Sequence, residues 1–311
     1  MRDKRCTMAE AIGRWVPDGT SVVMGTALES LIPFAAGHEI IRQRRRDLTL
    51  IAPISDMLFD QIIGAGLVRR VIASWVGNVS EGLGHNYRRA MERGEPAPLE
   101  VEDHSNYTLG LALWAAAHGT PYVPTRTMLG SDLPRSNPRL RVAPAPAGLP
   151  TVGEGTPLLL VPALRPDVAI LHVQRADPEG NAHAWGNLGL SQEAGLAAEA
   201  VIIVAEEIVA PEVIRSDPNR VLVPGFKVVA VVHEPGGAHP SPVQGYYGRD
   251  HAMYAEYHEQ TRTPEGYARW LADWVDGVPG RAAYLERLGA ARWQALRPRE
   301  HALAAPVDYG Y

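Results

Sequence analysis

Seven short runs of Val, Ile and Leu, none of which alternates cleanly with polar residues, constrain the fold of this chain more than any other feature. They are SVVMG (21–25), LTLIAP (48–53), RVIAS (70–74), LLLVPA (158–163), DVAILHV (167–173), AVIIVAEE (200–207) and KVVAVVH (227–233). Strands that are covered on both faces have this pattern, because neither face meets water. The runs therefore predict buried strands.

Segments of helical periodicity lie between several of these runs. The clearest are LIPFAAGHEIIRQRRR (31–46), DMLFDQIIGAG (56–66) and YTLGLALWAAAHG (107–119), each of which ends in Arg or Gly, as helices often do. Strands that alternate with helices predict an α/β fold, an open, mostly parallel, twisted sheet with flanking helices. In such a fold the binding loops lie at the carboxyl ends of the strands.

Three further segments bear on domain organisation. The stretch 131–157 is rich in Pro and Gly and has almost no periodicity, which predicts a long irregular crossing rather than a domain boundary. From about residue 250, aromatic residues recur at helical spacing, which predicts helices packed over the sheet or against a partner. The last dozen residues show no pattern and are expected to fray. We therefore expect one domain over 1–311.

The charge balance excludes two classes of partner. Thirty Lys and Arg residues against 35 Asp and Glu residues give a net charge of −5 with His neutral, so no basic field is present to hold nucleic acid or an anionic membrane. The single cysteine, Cys6, cannot form an internal disulfide, and neither a secretory leader nor a membrane-spanning apolar run is recognisable. We therefore expect a cytoplasmic protein.

Residues that follow the first three strand runs are candidates for ligand contact. Gly25 allows a sharp turn or a close approach of the backbone to a ligand, and Ser55 carries a hydroxyl that either faces a substrate or caps the next helix. Asn78 and Ser80 lie in a Gly-rich loop that either recognises a ligand or forms a surface turn. We predict that Ser55, Asn78 and Ser80 line one crevice.

Two further side chains are candidates with strong structural alternatives. Arg126 follows a short predicted strand, and its planar guanidinium suits a carboxylate or phosphate but equally suits an interface or a local structural role. His239 follows Gly236 and Gly237 and either lines the crevice or lies at a subunit contact, whereas turn formation alone explains the two glycines.

The histidines show no metal-binding pattern. His233 and His239 span a Pro-Gly turn, and His251 and His258 are seven residues apart. No cysteine pair or HExxH helix accompanies either set, so we expect no metal site.

Six longer segments, spread over most of positions 16–260, carry a family resemblance. They are VPDGTSVVMG (16–25), HEIIRQRRRDLTLIAP (38–53), EGLGHNYRRAMERG (81–94), SNYTLGLALWAAAHGTPYVPTRTMLGSDL (105–133), PALRPDVAILHVQRADPEGNA (162–182) and EPGGAHPSPVQGYYGRDH (234–251). In these segments the chain resembles the alpha subunit of the family I coenzyme A transferases, closest in pattern to the glutaconate CoA-transferase type.

The resemblance implies an open α/β sheet and an enzyme of two homologous subunits, alpha and beta, that moves coenzyme A from an acyl-CoA to a carboxylic acid. In that family a glutamate, which the beta subunit carries, attacks the thioester and forms a mixed anhydride and then a glutamyl-CoA thioester. This chain would then supply no nucleophile and need no cofactor, since coenzyme A is a substrate. Its crevice would face the beta subunit. Thr26 and Ala27 stand where the family commonly has a second Gly and an aromatic residue, which puts ligand contacts at that loop in doubt.

Other functions on the same scaffold stay open. In related hydrolases that act on ring-containing CoA thioesters, the alpha subunit carries a catalytic glutamate just before the helix equivalent to 107–118. Asn106 occupies that position here, and an amide can form hydrogen bonds or cap a helix but cannot act as a base. Glu102 and Asp103 lie nearby, and a shift of the alignment by a few residues would bring one of them to this position. Glu81, in SEGLG, partly matches the nucleophile signature of the beta subunit, but position 82 is Gly where that signature has Asn, and the flanking residues follow the alpha-subunit pattern. Glu81 is therefore the catalytic candidate only if the nucleophile lies on this chain. A non-catalytic ligand-binding subunit, suggested by Thr26 and Ala27, is the last alternative.

Overall fold

All seven predicted apolar runs form strands in the structure, a computed structural model that describes residues 3–148 and 153–298. In chain order the strands are β1 (Ser21–Met24), β2 (Leu48–Ile54), β3 (Val68–Trp75), β4 (Gly77–Asn78), β5 (Gly82–Leu83), β6 (Glu100–Asp103), β7 (Tyr122–Thr125), β8 (Arg141–Pro144), β9 (Pro157–Pro162), β10 (Val168–Ala176), β11 (Ala182–His183), β12 (Ala200–Ile208) and β13 (Val228–His233).

A central parallel sheet organises the chain. Its strand order is β13-β12-β10-β1-β2-β3-β6, every neighbouring pair in this order is parallel, and β11 joins β10 in antiparallel fashion. β1 lies in the middle, where Val22 is in register with Leu50 of β2 on one side and with Val168 of β10 on the other. The predicted α/β fold with a mostly parallel sheet is confirmed.

The helices connect these strands and cover the sheet. They are α1 (Met8–Trp15), α2 (Phe34–Arg42), α3 (Asp56–Gly64), α4 (His85–Arg93), α5 (Asn106–Ala117), α6 (Leu133–Ser136), α7 (Ser191–Ala197), α8 (Pro211–Arg215), α9 (His251–Gln260), α10 (Pro264–Leu271), α11 (Arg281–Leu288) and α12 (Ala290–Leu296). α2 is shorter than the predicted segment 31–46, because Leu31 and Arg44 have positive φ angles of 55° and 53°, which an α-helix does not accept.

Two apolar cores lie on opposite faces of the sheet. Val22 faces the core formed by α1, α2, α3 and the helices after residue 250, whereas its neighbour Val23 faces the core formed by α5 and α7. Successive strand residues point to opposite faces, so both must be apolar when both faces are covered. This two-sided burial explains why the strand runs do not alternate.

The run 158–163 forms β9, but β9 belongs to a separate antiparallel sheet with the order β7-β9-β8. The prediction that 131–157 is an irregular crossing is wrong where α6 and β8 lie. β8 is a mostly exposed edge strand that pairs through its backbone, so its side chains carry no pattern that sequence reasoning can detect. Residues 149–152 and the expected frayed tail lie outside the described residues.

Helices α9 to α12 follow residue 250, and a π-helical turn at Ala272–Asp276 continues α10. In the described ranges, no helix has the length and apolar character that crossing a membrane requires.

Asp60 of α3 connects α4 and α9 to α3. Its buried carboxylate accepts hydrogen bonds from the Tyr87 backbone N–H at 2.7 Å, from Asn86 Nδ2 at 2.9 Å and from the Tyr257 hydroxyl at 2.6 Å. A buried carboxylate is tolerated when donors such as these replace its water.

We expect Tyr257→Phe to lower the free energy of unfolding by about 1–2 kcal/mol, because Asp60 loses a hydrogen bond in a place that water does not reach. Urea denaturation measures this change. The control is Tyr107→Phe, which alters a ring that is 58% exposed and should change stability by less than about 0.5 kcal/mol. Equal effects of the two substitutions would contradict the role given to Asp60.

Candidate functional site at the carboxyl ends of the central strands

The loops after β1 and β2 touch each other at the carboxyl edge of the sheet. Gly25 follows β1 with a φ of 72°, and a Cβ atom placed there would lie 2.4 Å from Ser55 Oγ and 3.3 Å from Ser55 Cα. A side chain at position 25 therefore meets both backbone strain and a steric clash. Glycine is needed here for the close approach of the two loops.

Ser55 does not cap α3 through its side chain. The residue occupies the N-cap position, but its φ and ψ of −108° and 20° are not extended, and its hydroxyl instead points to the Met24 carbonyl oxygen at 3.5 Å. The capping alternative is therefore wrong. The hydroxyl lies buried between the ends of β1 and β2.

The structure brings Ser55, Asn78 and Ser80 to the same edge of the sheet. Asp56, next to Ser55, accepts a hydrogen bond at 3.1 Å from the N–H of Val79, which lies between Asn78 and Ser80. Asn78 is buried and anchors its loop by donating from Nδ2 to the Tyr254 carbonyl at 2.8 Å, whereas Ser80 is exposed. Contact of these residues with a ligand stays a prediction.

Asp56 and Arg249 link these loops, and sequence reasoning missed both. Arg249 Nη1 donates to Asp56 Oδ2 at 2.7 Å, and Nη2 donates to Ser80 Oγ at 3.3 Å. The guanidinium lies over the Tyr254 ring, 3.6 Å from its centroid. We call Gly25, Ser55, Asp56, Asn78, Ser80 and Arg249 the strand-end cluster.

Asp56 is held under strain and away from water. Its φ of 49° is unusual for a residue with a side chain, and its carboxyl group is fully buried. Burial raises the pKa of Asp56, while the nearby Arg249 charge opposes that rise. The available sequence signal was its position, since a carboxylate directly after a buried strand lies at the edge where binding loops meet.

The loop after β1 is braced from the side of β10. Leu190 N–H donates to the Thr26 carbonyl at 2.9 Å, and the Thr26 and Ser191 hydroxyl oxygens lie 2.9 Å apart. Thr26 and Ala27 are buried, so both side chains face the protein interior. Beside this loop is a cavity of about 480 Å³, lined partly by Leu31 and by Trp185, Asn187 and Tyr247.

His239 is an internal residue. Its ring is fully buried, with Nδ1 2.9 Å from the Tyr284 hydroxyl and Nε2 3.0 Å from Asp250 Oδ2. The prediction that this side chain lines the crevice or a subunit contact is therefore wrong. A Pro-Gly-Gly turn before a histidine indicates where the chain bends, but it does not indicate which side chains close over the ring.

Asn106, Arg126 and Glu81 are exposed. Asn106 is the first residue of α5, and the cap is its neighbour Ser105, so the capping role considered for Asn106 is wrong. Asn106 also lines a groove of about 430 Å³ with Tyr107, Trp114 and others. Arg126 follows β7, a strand of the small antiparallel sheet, and so does not follow a strand of the central sheet.

Glu81 lies next to the strand-end cluster but in solvent. Its backbone N–H donates to the Asn78 carbonyl at 3.0 Å, and its side chain is exposed. A nucleophilic carboxylate needs a drier environment than this. For metals, the described part of the chain contains no group of three His, Cys, Asp or Glu side chains that could hold an ion.

Comparisons with known proteins agree with this architecture. The sequence model of the family described as Coenzyme A transferase matches residues 5–234. The chain is 40% identical over 272 residues to the alpha subunit of 3-oxoadipate CoA-transferase from Pseudomonas knackmussii, a match that covers 88% of this chain and 93% of that one. It is also 30% identical over 297 residues to the IpdA subunit of the cholesterol ring-cleaving hydrolase of Mycobacterium tuberculosis, covering 94% and 100%.

A solved structure shows the same fold over nearly the whole chain. The crystal structure of glutaconate coenzyme A-transferase from Acidaminococcus fermentans matches with a TM-score of 0.88 and 30% identity, and the match covers 98% of each chain.

We expect Gly25→Ala to destabilise the protein more than Gly19→Ala does. Gly19 has a similar φ of 85°, but no atom lies within 4 Å of the place that an added methyl group would take, so its substitution costs only backbone strain, about 1 kcal/mol. Gly25→Ala adds the clash with Ser55 and should cost at least about 1 kcal/mol more. Chemical denaturation of both variants tests this, and equal losses would show that the loops are not in tight contact.

We expect protonation of the buried His239 to make the protein less stable at acidic pH. Burial lowers the pKa of His239 to about 4, although the hydrogen bond to Asp250 partly opposes the shift. The unfolded chain therefore binds this proton first, and stability contributed by the neutral ring is lost as the pH falls from about 6.5 towards 4. From pH 7 to pH 5 the expected loss from this site is roughly 2 kcal/mol.

Urea denaturation of His239→Gln at both pH values measures that loss. The variant should be less stable at pH 7 but should show a flatter dependence on pH, with the remaining slope due in part to His38, whose pKa burial also lowers. The control is His251→Gln, at an exposed position at the start of α9, which should keep the slope of the unaltered protein. An unchanged slope in His239→Gln would contradict the assignment.

Proposed function

Because the chain belongs to the coenzyme A transferase family, we propose that it is the alpha subunit of a two-subunit enzyme that moves coenzyme A from an acyl-CoA to a carboxylic acid. In this proposal the reaction passes through a glutamyl-CoA intermediate, and the nucleophilic glutamate belongs to the homologous beta subunit. Coenzyme A is a substrate, and no other cofactor takes part.

The residues of the strand-end cluster support the placement of the nucleophile on the beta subunit. Asp56 is fully buried and paired with Arg249, so it has no free oxygen to offer a thioester. The glutamates next to the cluster are Glu81, which is exposed, and Glu29, whose side chain is half exposed and 3.7 Å from Arg249. In the chain on its own, no described carboxylate around this cluster is both buried and unpaired. The attacking oxygen would therefore come from the partner subunit.

This chain would bind and orient the acyl group in that scheme. The partner's carboxylate oxygen would attack the thioester carbonyl, and the C–S bond would break to give a mixed anhydride and a coenzyme A thiolate. The thiolate would then attack the glutamyl carbonyl and release the first acid. Gly25 packs the loop after β1 against Ser55, and backbone N–H groups of this loop would stabilise the negative charge on the thioester carbonyl oxygen.

We propose a small organic diacid as one substrate. The relative from Pseudomonas knackmussii is named for 3-oxoadipate, and the solved structure is that of an enzyme named for glutaconate. Side chains of both subunits would shape the pocket for the acyl group of the donor.

The similarity to the IpdA subunit favours the hydrolase alternative, whereas the residues before α5 do not. Asn106 offers an amide there. The nearest buried carboxylate, Glu102, lies 3.3 Å from Arg70 in an ion pair and 3.1 Å from His104 Nε2 in a hydrogen bond. Burial favours a raised pKa for Glu102, but the His104 hydrogen bond and the arginine charges outweigh burial and lower the pKa. A carboxylate paired in this way is a poor general base.

Borohydride trapping of the assembled pair tests the proposal. Acyl-CoA is added without an acceptor acid, the enzyme thioester is reduced to an alcohol, and peptide mass spectrometry locates the altered glutamate. We expect the altered glutamate on the beta subunit, with none on this chain, and we expect Glu81→Gln to keep activity within about twofold of the unaltered pair. Modification of Glu29 or Glu81 would contradict the proposal.

Two activity measurements separate the alternatives. A transferase requires the acceptor acid, so free coenzyme A should form much more slowly without it, whereas a hydrolase releases coenzyme A at the same rate in water. If the beta subunit on its own matches the activity of the pair, this chain has only a ligand-binding or structural role.

A further inference from the structure

The segment 234–250, which connects β13 to α9, contacts both sides of the candidate site. It ends at Asp250 and carries Arg249 of the strand-end cluster. Its middle part holds the loop after β1, because Ser241 Oγ donates to the Glu29 carbonyl at 2.8 Å and Leu31 N–H donates to the Pro242 carbonyl at 3.1 Å. The position of this segment therefore fixes two walls of the site.

A buried carboxylate on β12 binds both halves of this segment. Glu206 Oε2 accepts from the Gly236 N–H at 2.8 Å, and Oε1 accepts from the Tyr247 hydroxyl at 2.5 Å. The His172 ring on β10 donates to the same Oε1 from Nε2 at 2.7 Å. Tyr247 in turn accepts from the Ala238 N–H at 3.1 Å, so its hydroxyl closes the segment on itself.

We infer that Glu206 is a positioning residue that, through Gly236 and Tyr247, sets the place of Arg249 in the shared site. This inference rests on the proposed function, because it assigns a catalytic consequence to that arrangement. Glu206 touches neither Asp56 nor Ser80 itself. Its effect reaches Arg249 through Tyr247, which lies two residues earlier in the chain.

The chemistry of the network requires a carboxylate acceptor. Three donors converge on Glu206, and an amide in its place would turn an N–H group towards at least one of them. Burial, followed by the neighbouring Glu206 charge, raises the pKa of Tyr247 well above its ordinary value, so the hydroxyl keeps its proton and remains a donor. Charged acceptors also form the stronger hydrogen bonds.

Other contacts hold the segment in the fold if this network is weakened. Arg281 donates to the carbonyl oxygens of Gly236 and His239, and Arg292 pairs with Asp250 at 2.7 Å. Loss of one hydrogen bond to Glu206 should therefore shift the segment without unfolding it. A catalytic effect can then be separated from a loss of stability.

A double-substitution cycle in the assembled pair tests the inference. Tyr247→Phe removes the donor to Glu206 but keeps the ring, and Arg249→Lys removes the planar guanidinium. We expect kcat/KM for CoA transfer to fall about tenfold in Tyr247→Phe and about a hundredfold in Arg249→Lys. The double variant should lie within about twofold of Arg249→Lys, because Tyr247 acts through Arg249.

The matched control is Tyr267→Phe, which also removes a buried tyrosine hydroxyl, here one that donates to the Gln61 carbonyl at 2.6 Å. It should lower the melting temperature about as much as Tyr247→Phe does and should combine with Arg249→Lys multiplicatively. Glu206→Gln, if it folds, should resemble Tyr247→Phe in its coupling to Arg249.

Hydrogen exchange separates failure of the inference from failure of the proposed function. In Tyr247→Phe, amides of 234–250 should exchange faster, whereas in Tyr267→Phe they should not. Multiplicative effects of Tyr247→Phe and Arg249→Lys in an active pair, or unchanged exchange in 234–250, would overturn the inference. If the unaltered pair transfers no coenzyme A, the proposed function fails. In that case hydrogen exchange remains the test of the inference, and unchanged exchange of the 234–250 amides in Tyr247→Phe would show that Glu206 does not anchor this segment.

Discussion

The position of β1 between β2 and β10 is the constraint on which the rest of the structure depends. The chain leaves β1 towards β2 and β3 on one side and later returns to form β10, β12 and β13 on the other. At such a reversal of strand order the loops diverge and leave a crevice at the carboxyl ends of the strands. The loop after β1 therefore meets Ser55 on one side and Leu190 on the other, and both contacts hold it in place.

Buried polar groups give this edge its definite shape. Asp56 with Arg249, and Glu206 with His172 and Tyr247, lie in surroundings where an unpaired charge would be costly. Such groups stabilise only the arrangement in which every donor finds its acceptor, so they favour one loop geometry over its neighbours. Apolar packing alone, as between Val22 and Leu50, holds the sheet but leaves the loops above it less restricted.

Sequence patterns revealed the layers of the fold but only part of the site. Apolar runs marked six strands of the central sheet, because strands that are buried on both faces carry continuous apolar sequence. They missed the edge strand β6, whose residues are mostly polar and only partly buried. The sequence of β8 contains no apolar run, because this exposed edge strand pairs through its backbone atoms and buries few side chains. Position after a strand correctly placed Ser55 and Asn78 at one edge. Arg249 could not be found in this way, because it is distant in sequence and reaches Asp56 only through the folded 234–250 segment.

The central claim is that this chain forms one half of a site whose attacking oxygen belongs to another subunit. The most direct test of this claim is a structure of the assembled pair with a bound acyl-CoA. The account predicts that a glutamate carboxylate of the partner lies within about 3.5 Å of the thioester carbonyl carbon, and that Gly25 and Ser55 line the same cavity. A thioester bound away from this edge, or approached by a carboxylate of this chain, would contradict the account.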